Sequence, residues 1–250
     1  MPTPAVLATR GLVAGYEADQ PIVHGLDFSV AAGELVVILG PNGAGKSTFV
    51  KAIAGLVPVH AGITLLGGVD VTHLPADEKI RHGLAFVPQT ENVFATLSIR
   101  DNLRLAADIL PKTARHPRIE ELYAMFPDLA DRDSRRAGAL SGGQRQMLAI
   151  ARALIVRPLV LILDEPSAGL SPKIVAEVFA QLKTINRTGV AIVLVEQNIK
   201  AALAVADRAV ILVEGRLRHE GTAEGLADDP RVAELYLGVR PAANPPAATP

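Results

Sequence analysis

Leu35-Val-Val-Ile-Leu-Gly-Pro-Asn-Gly-Ala-Gly-Lys-Ser47 joins an apolar run, a glycine-rich turn and a Lys-Ser pair without a break. Its last eight residues, Gly40 to Ser47, fit the pattern G-x-x-x-x-G-K-[ST]. The context also fits, because a β-prone run precedes the turn and a helix-forming stretch, Phe49 to Ala54, follows it. Glycines let the backbone close around a polyphosphate with successive N–H groups pointing inward. The helix N-terminus that follows adds partial positive charge directed at the same anion. In such a loop Lys46 reaches the β- and γ-phosphates, and Ser47 holds Mg²⁺. A plain glycine-rich turn before a helix would carry the same eight residues, so the rest of the chain has to separate the two readings.

A length of 250 residues allows one large α/β domain or two small ones, and an apolar content of 49% is enough for a full core. No apolar run approaches the roughly 18 residues that a helical bilayer span needs. The longest apolar blocks, Leu35–Leu39, Leu159–Leu163 and Ala191–Val195, have the length of strands in a parallel sheet covered on both faces. Met1-Pro-Thr-Pro lacks the basic and apolar regions of a secretory signal. The absence of Cys excludes disulfides and thiolate metal sites and suits a cytoplasmic setting. A net charge of −1 argues against a large nucleic-acid surface, and the six His show no metal-ligand spacing.

Apolar runs alternate with helical periodicity, which reads as βαβ units. Residues 1–35 differ, with short β-prone pieces such as Leu26–Val30. From about Thr96 to Leu154 the pattern becomes mainly helical. Leu103, Ala106, Ala107 and Leu110 mark one face, and Leu122, Met125 and Phe126 mark another. Pro111 and Pro117 are expected to break the interval between them. Strand-like runs resume at Leu159. Pro172–Asn186 then reads as a helix burying Ile174, Val175, Val178, Phe179, Leu182 and Ile185. Residues 241–250 are Pro/Ala-rich and are expected to be a disordered tail.

Two further motifs carry chemistry. In Leu159-Val-Leu-Ile-Leu-Asp-Glu-Pro166, five apolar residues form a buried strand with two acids at its C-terminal edge, where ligands bind in open α/β sheets. Asp164 is placed to hold Mg²⁺ through water. Glu165 is placed to orient an attacking water and accept its proton. In Leu140-Ser-Gly-Gly-Gln-Arg-Gln146, leading into the helical run Met147–Val156, Ser141 and Gly143 can present a hydroxyl and an N–H at a helix N-terminus. The same residues also read as an ordinary Ser N-cap. A second phosphate reader beside a complete phosphate loop suggests that two copies meet, each completing the other's site.

These three motifs in this order resemble the nucleotide-binding subunit of ABC transporters, over about residues 5–240. The resemblance implies a P-loop NTPase (RecA-like) α/β core, a helical subdomain inserted at about 96–154 and a small antiparallel β subdomain, forming one domain over 1–240. It implies ATP as ligand, bound by Gly40, Pro41, Asn42, Gly43, Ala44, Gly45, Lys46, Ser47 and Thr48, with Mg²⁺ held by Ser47, Asp164 and Gln89. Tyr16 looks like the aromatic that stacks on adenine, although a half-buried core Tyr is the other reading. Gln89 resembles the glutamine that contacts Mg²⁺ and water and reports nucleotide occupancy to a membrane partner. Ser141, Gly142, Gly143 and Gln144 resemble the segment that reads the partner's nucleotide, and Ser167-Ala-Gly-Leu-Ser171 the loop that crosses the dimer interface. Catalysis falls to Glu165, Lys46 and the second residue past the strand Ala191–Val195. The family usually has His there, whereas this chain has Gln197, an amide that donates a hydrogen bond but cannot become cationic.

Val195-Glu-Gln-Asn198, Ser167-Ala-Gly-Leu-Ser-Pro172 and Val232-Ala-Glu-Leu-Tyr-Leu-Gly238 together look like the LivF-type subunit of branched-chain amino-acid importers. The last segment also reads as a short helix closing the core. The resemblance implies two transmembrane permease subunits, a second ATPase or a copy of this chain, and an extracytoplasmic binding protein reached through the permeases. It implies a peripheral position on the cytoplasmic face of the inner membrane, with coupling around Gln89–Asp101 and the helical insertion. Related subunits serve urea, short amides and other amino acids. An exporter ATPase, a soluble ABC-type ATPase and a non-catalytic ATP-binding scaffold are the other classes.

Overall fold

The computed structural model describes residues 5–227 together with 229 and 232. The expected tail at 241–250, the start Met1-Pro-Thr-Pro and all of the Val232–Gly238 segment except Val232 lie outside the described residues. Val232 itself is buried against the main core.

Among the described residues, ten strands and nine α-helices follow in the order β1 (Ala5–Ala14), β2 (Val23–Ala31), β3 (Leu35–Leu39), α1 (Lys46–Ile53), β4 (Val59–Leu66), β5 (Val69–Asp70), α2 (Ala76–Arg81) and β6 (Leu84–Val87). Next come α3 (Ile99–Ala107), α4 (Lys112–Met125), α5 (Pro127–Ala130), α6 (Gly142–Leu154), β7 (Val160–Asp164), α7 (Pro172–Asn186) and β8 (Ala191–Val195). The described chain closes with α8 (Ile199–Leu203), β9 (Arg208–Val213), β10 (Arg216–Thr222) and α9 (Ala223–Ala227).

A six-stranded sheet runs in the order β10-β9-β3-β8-β7-β6, parallel except for the antiparallel edge strand β10. Its central strands are apolar at every position because both faces are covered. Leu35, Val37 and Leu39 of β3 face one core with Leu161, Leu163, Ile192 and Leu194, beneath the helices. Val36 and Ile38 face a second core built on α1 and the other sheet, with Phe49, Val50 and Ile53 packed against Leu7, Leu12, Phe28 and Leu66. The helix after the glycine-rich turn is therefore held between two sheets, which sets the direction of its N-terminus.

Two sequence expectations change. The antiparallel sheet is not confined to the N-terminal 35 residues: its order is β2-β1-β4-β5, and half of it comes after α1. Gly62 interrupts β4 and the two-residue β5 is too short to alternate, which hid both. Pro111 does precede a helix, but Pro117 lies inside α4 rather than breaking it. The lost hydrogen bond is tolerated because the helix is anchored downstream by buried Ile119 and Leu122. The helix α6 starts at Gly142 with Ser141 as its cap, where the sequence places a helix N-terminus.

Candidate functional site

The site forms at the C-terminal edge of the parallel strands β3, β8, β7 and β6. After β3 the chain turns at Gly40, which has φ 151°. A Cβ there would run into the carbonyl oxygen of Leu212 on β9, so only glycine lets the turn pass this close to the neighbouring strand. Residues 42–48, with Ile22 and Glu165, line a cleft of about 230 Å³.

Each charged group of this cleft already has a partner from the chain. The Lys46 ammonium donates to the carbonyls of Gly40 at 2.7 Å and Pro41 at 3.0 Å. Burial holds it below the usual lysine range, against the opposing pull of Glu165 and Asp164. The Ser47 hydroxyl donates to Asp164 Oδ1 at 2.9 Å, and burial pushes the Asp164 carboxyl up. A polyphosphate in the loop would give Lys46 a charged acceptor in place of two neutral carbonyls, a stronger hydrogen bond. The Ser47 hydroxyl and the Asp164 carboxylate form the oxygen donor set that suits a hard divalent cation.

Glu165 follows β7 and extends the β7–β8 ladder by one step, its N–H donating to Val195 O at 2.9 Å. Its φ of 49° is left-handed, unusual for a residue with a Cβ. Two amides meet its carboxylate. Gln89 Nε2, from the loop after β6, donates at 2.9 Å, and Gln197 Nε2, after β8, donates to both oxygens at 2.7 and 2.8 Å. Three strand ends thus deliver Gln89, Glu165 and Gln197 to one point, with Lys46 and Asp164 on the adjoining side.

The structure does not bring every expected residue to this point. Tyr16 is 61% exposed and lies outside the lining of the phosphate-loop cleft. Ser141 caps α6 in a capping box, its hydroxyl accepting from the N–H of Gln144 while Gln144 Oε1 accepts from the N–H of Ser141. Gly142 lines an open groove with Gln89, Glu165 and Leu170, whereas Ser141, Gly143 and Gln144 face a neighbouring groove with Ile174 and Met147. The Lys46 ammonium bonds instead to Gly40 and Pro41, not to any of these four residues.

Two features escaped the sequence reading. Glu196, directly after β8, is a buried carboxylate that accepts from Ser167 and Gln197. Its signal was an acid placed directly after a fully apolar strand. Arg152 of α6 lies 4.7 Å from the ring centroid of Phe94 and donates to Asn92 O at 2.5 Å, tying α6 to the loop after Gln89.

Residues 23–168 match the ABC transporter family. The chain belongs to that family. It is 41% identical to a protein of Archaeoglobus fulgidus named probable branched-chain amino acid transport ATP-binding protein LivF, covering 94% of this chain and 99% of the relative. It is 35% identical to the lipopolysaccharide export system ATP-binding protein LptB of Escherichia coli K12, covering 94% and 98%. Among solved structures, a nucleotide-free ATP-binding cassette from an ABC transporter superposes with a TM-score of 0.84 at 24% identity, covering 93% of this chain and 98% of that one, which bears on the fold alone. The chain is the ATP-binding, ATP-hydrolysing subunit of an ABC transporter. No described helix of this ABC subunit is long and apolar enough to cross a membrane.

Proposed function

We propose that this chain powers uptake of branched-chain or related amino acids, as the ATPase subunit of an importer docked on two membrane permeases at the cytoplasmic face. The observation that carries the substrate class is the 41% identity to a LivF-named protein over 99% of that protein's length. Val195-Glu-Gln-Asn198 supports it. The 35% identity to LptB keeps an exporter as the second reading.

In this reading Lys46 and the backbone of residues 40–48 bind the phosphates, and Tyr16 offers its exposed ring to adenine. Ser47, Asp164 and Gln89 hold Mg²⁺, which when bound neutralises phosphate charge. Glu165 orients water and takes its proton, and Gln197 holds the Glu165 carboxylate or donates to the γ-phosphate. Ser141, Gly142, Gly143 and Gln144 read the nucleotide held by a partner ATPase, either a second similar subunit or a copy of this chain. This division of labour is positioning and charge stabilisation, so loss of one clamp residue is costly. The groove of about 360 Å³ lined by Ile80, Phe86, Pro88, Ile109 and Arg152 supports docking of a permease segment next to the loop that carries Gln89.

Lys46→Ala is expected to abolish nucleotide binding. Glu165→Gln is expected to bind ATP, to hydrolyse little and to accumulate as a closed dimer on size exclusion with ATP. Wild-type turnover of a monomeric Glu165→Gln protein would refute the assignment of the base. Identification of proteins co-purified from gently solubilised membranes tests the importer reading: two multi-span permeases, a second ATPase and a binding protein support it, and export components in their place overturn it.

A further inference from the structure

Burying a carboxylate is expensive unless hydrogen bonds replace its water, so the donors around Glu196 show what its burial is coupled to. Glu196 is 1% exposed. Its backbone N–H donates to Ile38 O at 3.2 Å, so the sheet sets its position. Its Oε1 accepts from the N–H of Ser167 at 3.1 Å, and its Oε2 from the Ser167 hydroxyl at 2.8 Å and the N–H of Gln197 at 3.2 Å. The backbone of Asn198 also donates to it. These donors belong to two different loops. Ser167 lies two residues after Glu165, and Gln197 is the residue whose amide meets the Glu165 carboxylate. Between them Glu165 is held at φ 49°, a conformation that persists only when the surroundings over-determine it.

We propose that Glu196 is a positioning residue for hydrolysis: one buried carboxylate pins the loop after β7 and the turn after β8 to a common anchor, and so holds the Glu165 carboxylate against the Gln197 amide. Ala168 and Leu170, just after Ser167, line an open groove, so a partner seated there would pull on the same anchor. The inference rests on reading Glu165 as the residue that activates water.

The test uses the whole chain in four variants, with Glu165→Gln as reference. Ser167→Ala deletes only the hydroxyl donor, on a half-buried loop residue, and keeps the N–H bond. Glu196→Gln removes the charge at nearly constant size. Both are expected to lower kcat about 10- to 100-fold, as a small misplacement of a reacting group does. Affinity for a non-hydrolysable ATP analogue should stay near the wild-type value, and the melting midpoint should fall only modestly, as loss of one hydrogen bond to a buried carboxylate does. The double variant should be no worse than the more severe single one, because both act through one contact. Ser167→Thr, which keeps a hydroxyl, should retain turnover. Wild-type kcat in Ser167→Ala overturns the proposal whatever Glu196→Gln does, and so does a loss of kcat that only tracks nucleotide affinity or unfolding at the assay temperature. Wild-type turnover in Glu165→Gln would instead overturn the reading of the base, and it is measured separately.

Discussion

At position 197 an amide stands where the family usually carries an imidazole, and the consequence is a difference in pH behaviour. A histidine charges near pH 6.5, whereas a glutamine donates the same neutral hydrogen bond throughout. Gln197 makes that bond to both oxygens of Glu165, at 2.7 and 2.8 Å. The kcat of the wild-type protein should therefore show no limb from imidazole ionisation, and Gln197→His should introduce one in the pH range around 6–7. Gln197→Ala should lower kcat about 10- to 150-fold, the equivalent of about 1.5–3 kcal/mol for a hydrogen bond to a charged group. Steady-state hydrolysis across pH checks both, and an unchanged Gln197→Ala rate would mean that the amide is idle. Lys46, Asp164 and Glu165 were legible in the sequence because their chemistry is local to a turn or a strand end. Glu196 was not, because an acid just after a strand reads as solvated until β3 and the loop after β7 are placed over it.

Among the elements, the start of α6 shows how sequence and packing combine. Ser141 and Gln144 form the capping box that begins the helix. A Cβ at Gly143 would run into the Ile174 side chain on α7, so the glycine sets how closely these two helices meet. Gly143→Ala should lower stability by about 1–3 kcal/mol, the usual effect of overpacking. Ile174→Ala in the same chain should restore part of that loss, so the two effects are non-additive. Thermal melting of both singles and the double tests this, and simple additivity would place the strain elsewhere. The strands β3 and β8 and the helix α7 have the bounds that periodicity predicts, because unbroken apolar runs and a clean 3.6-residue pattern are strong local signals. The strands β4 and β5 escaped because Gly62 and exposed positions weaken the alternation of β4, and two residues are too few for β5 to show any.

For the whole molecule, the exposed apolar side chains concentrate the interest. Phe94, Leu105 and Ile109 are all more than 40% exposed. Phe94 lies in the loop that begins just after Gln89, and it stacks with Arg152 of α6. A permease segment seated here would sense the loop next to Gln89, whose amide touches Glu165. Phe94→Ala should therefore assemble more weakly with its permeases and reduce substrate-stimulated hydrolysis about 3- to 10-fold, in line with loss of one aromatic anchor. Basal hydrolysis should stay unchanged. Normal stimulation in an assembled Phe94→Ala complex would remove this side chain from the coupling route.

A single line of residues carries the class of fold and the phosphate chemistry of this ABC subunit. The run from Leu35 to Ser47 states strand, turn and helix in order, and apolar blocks of five residues suit strands covered on both sides. These are short-range properties, set by neighbours in the chain. The meeting of Gln89 and Gln197 on Glu165 is of another kind, since the partners are 76 and 32 residues away in sequence. It exists because β6, β7 and β8 lie side by side in the order β8-β7-β6, and strand order is a matter of three-dimensional packing. The burial of Glu196 arises in the same way: two loops far apart in sequence close over one carboxylate once the sheet has aligned them.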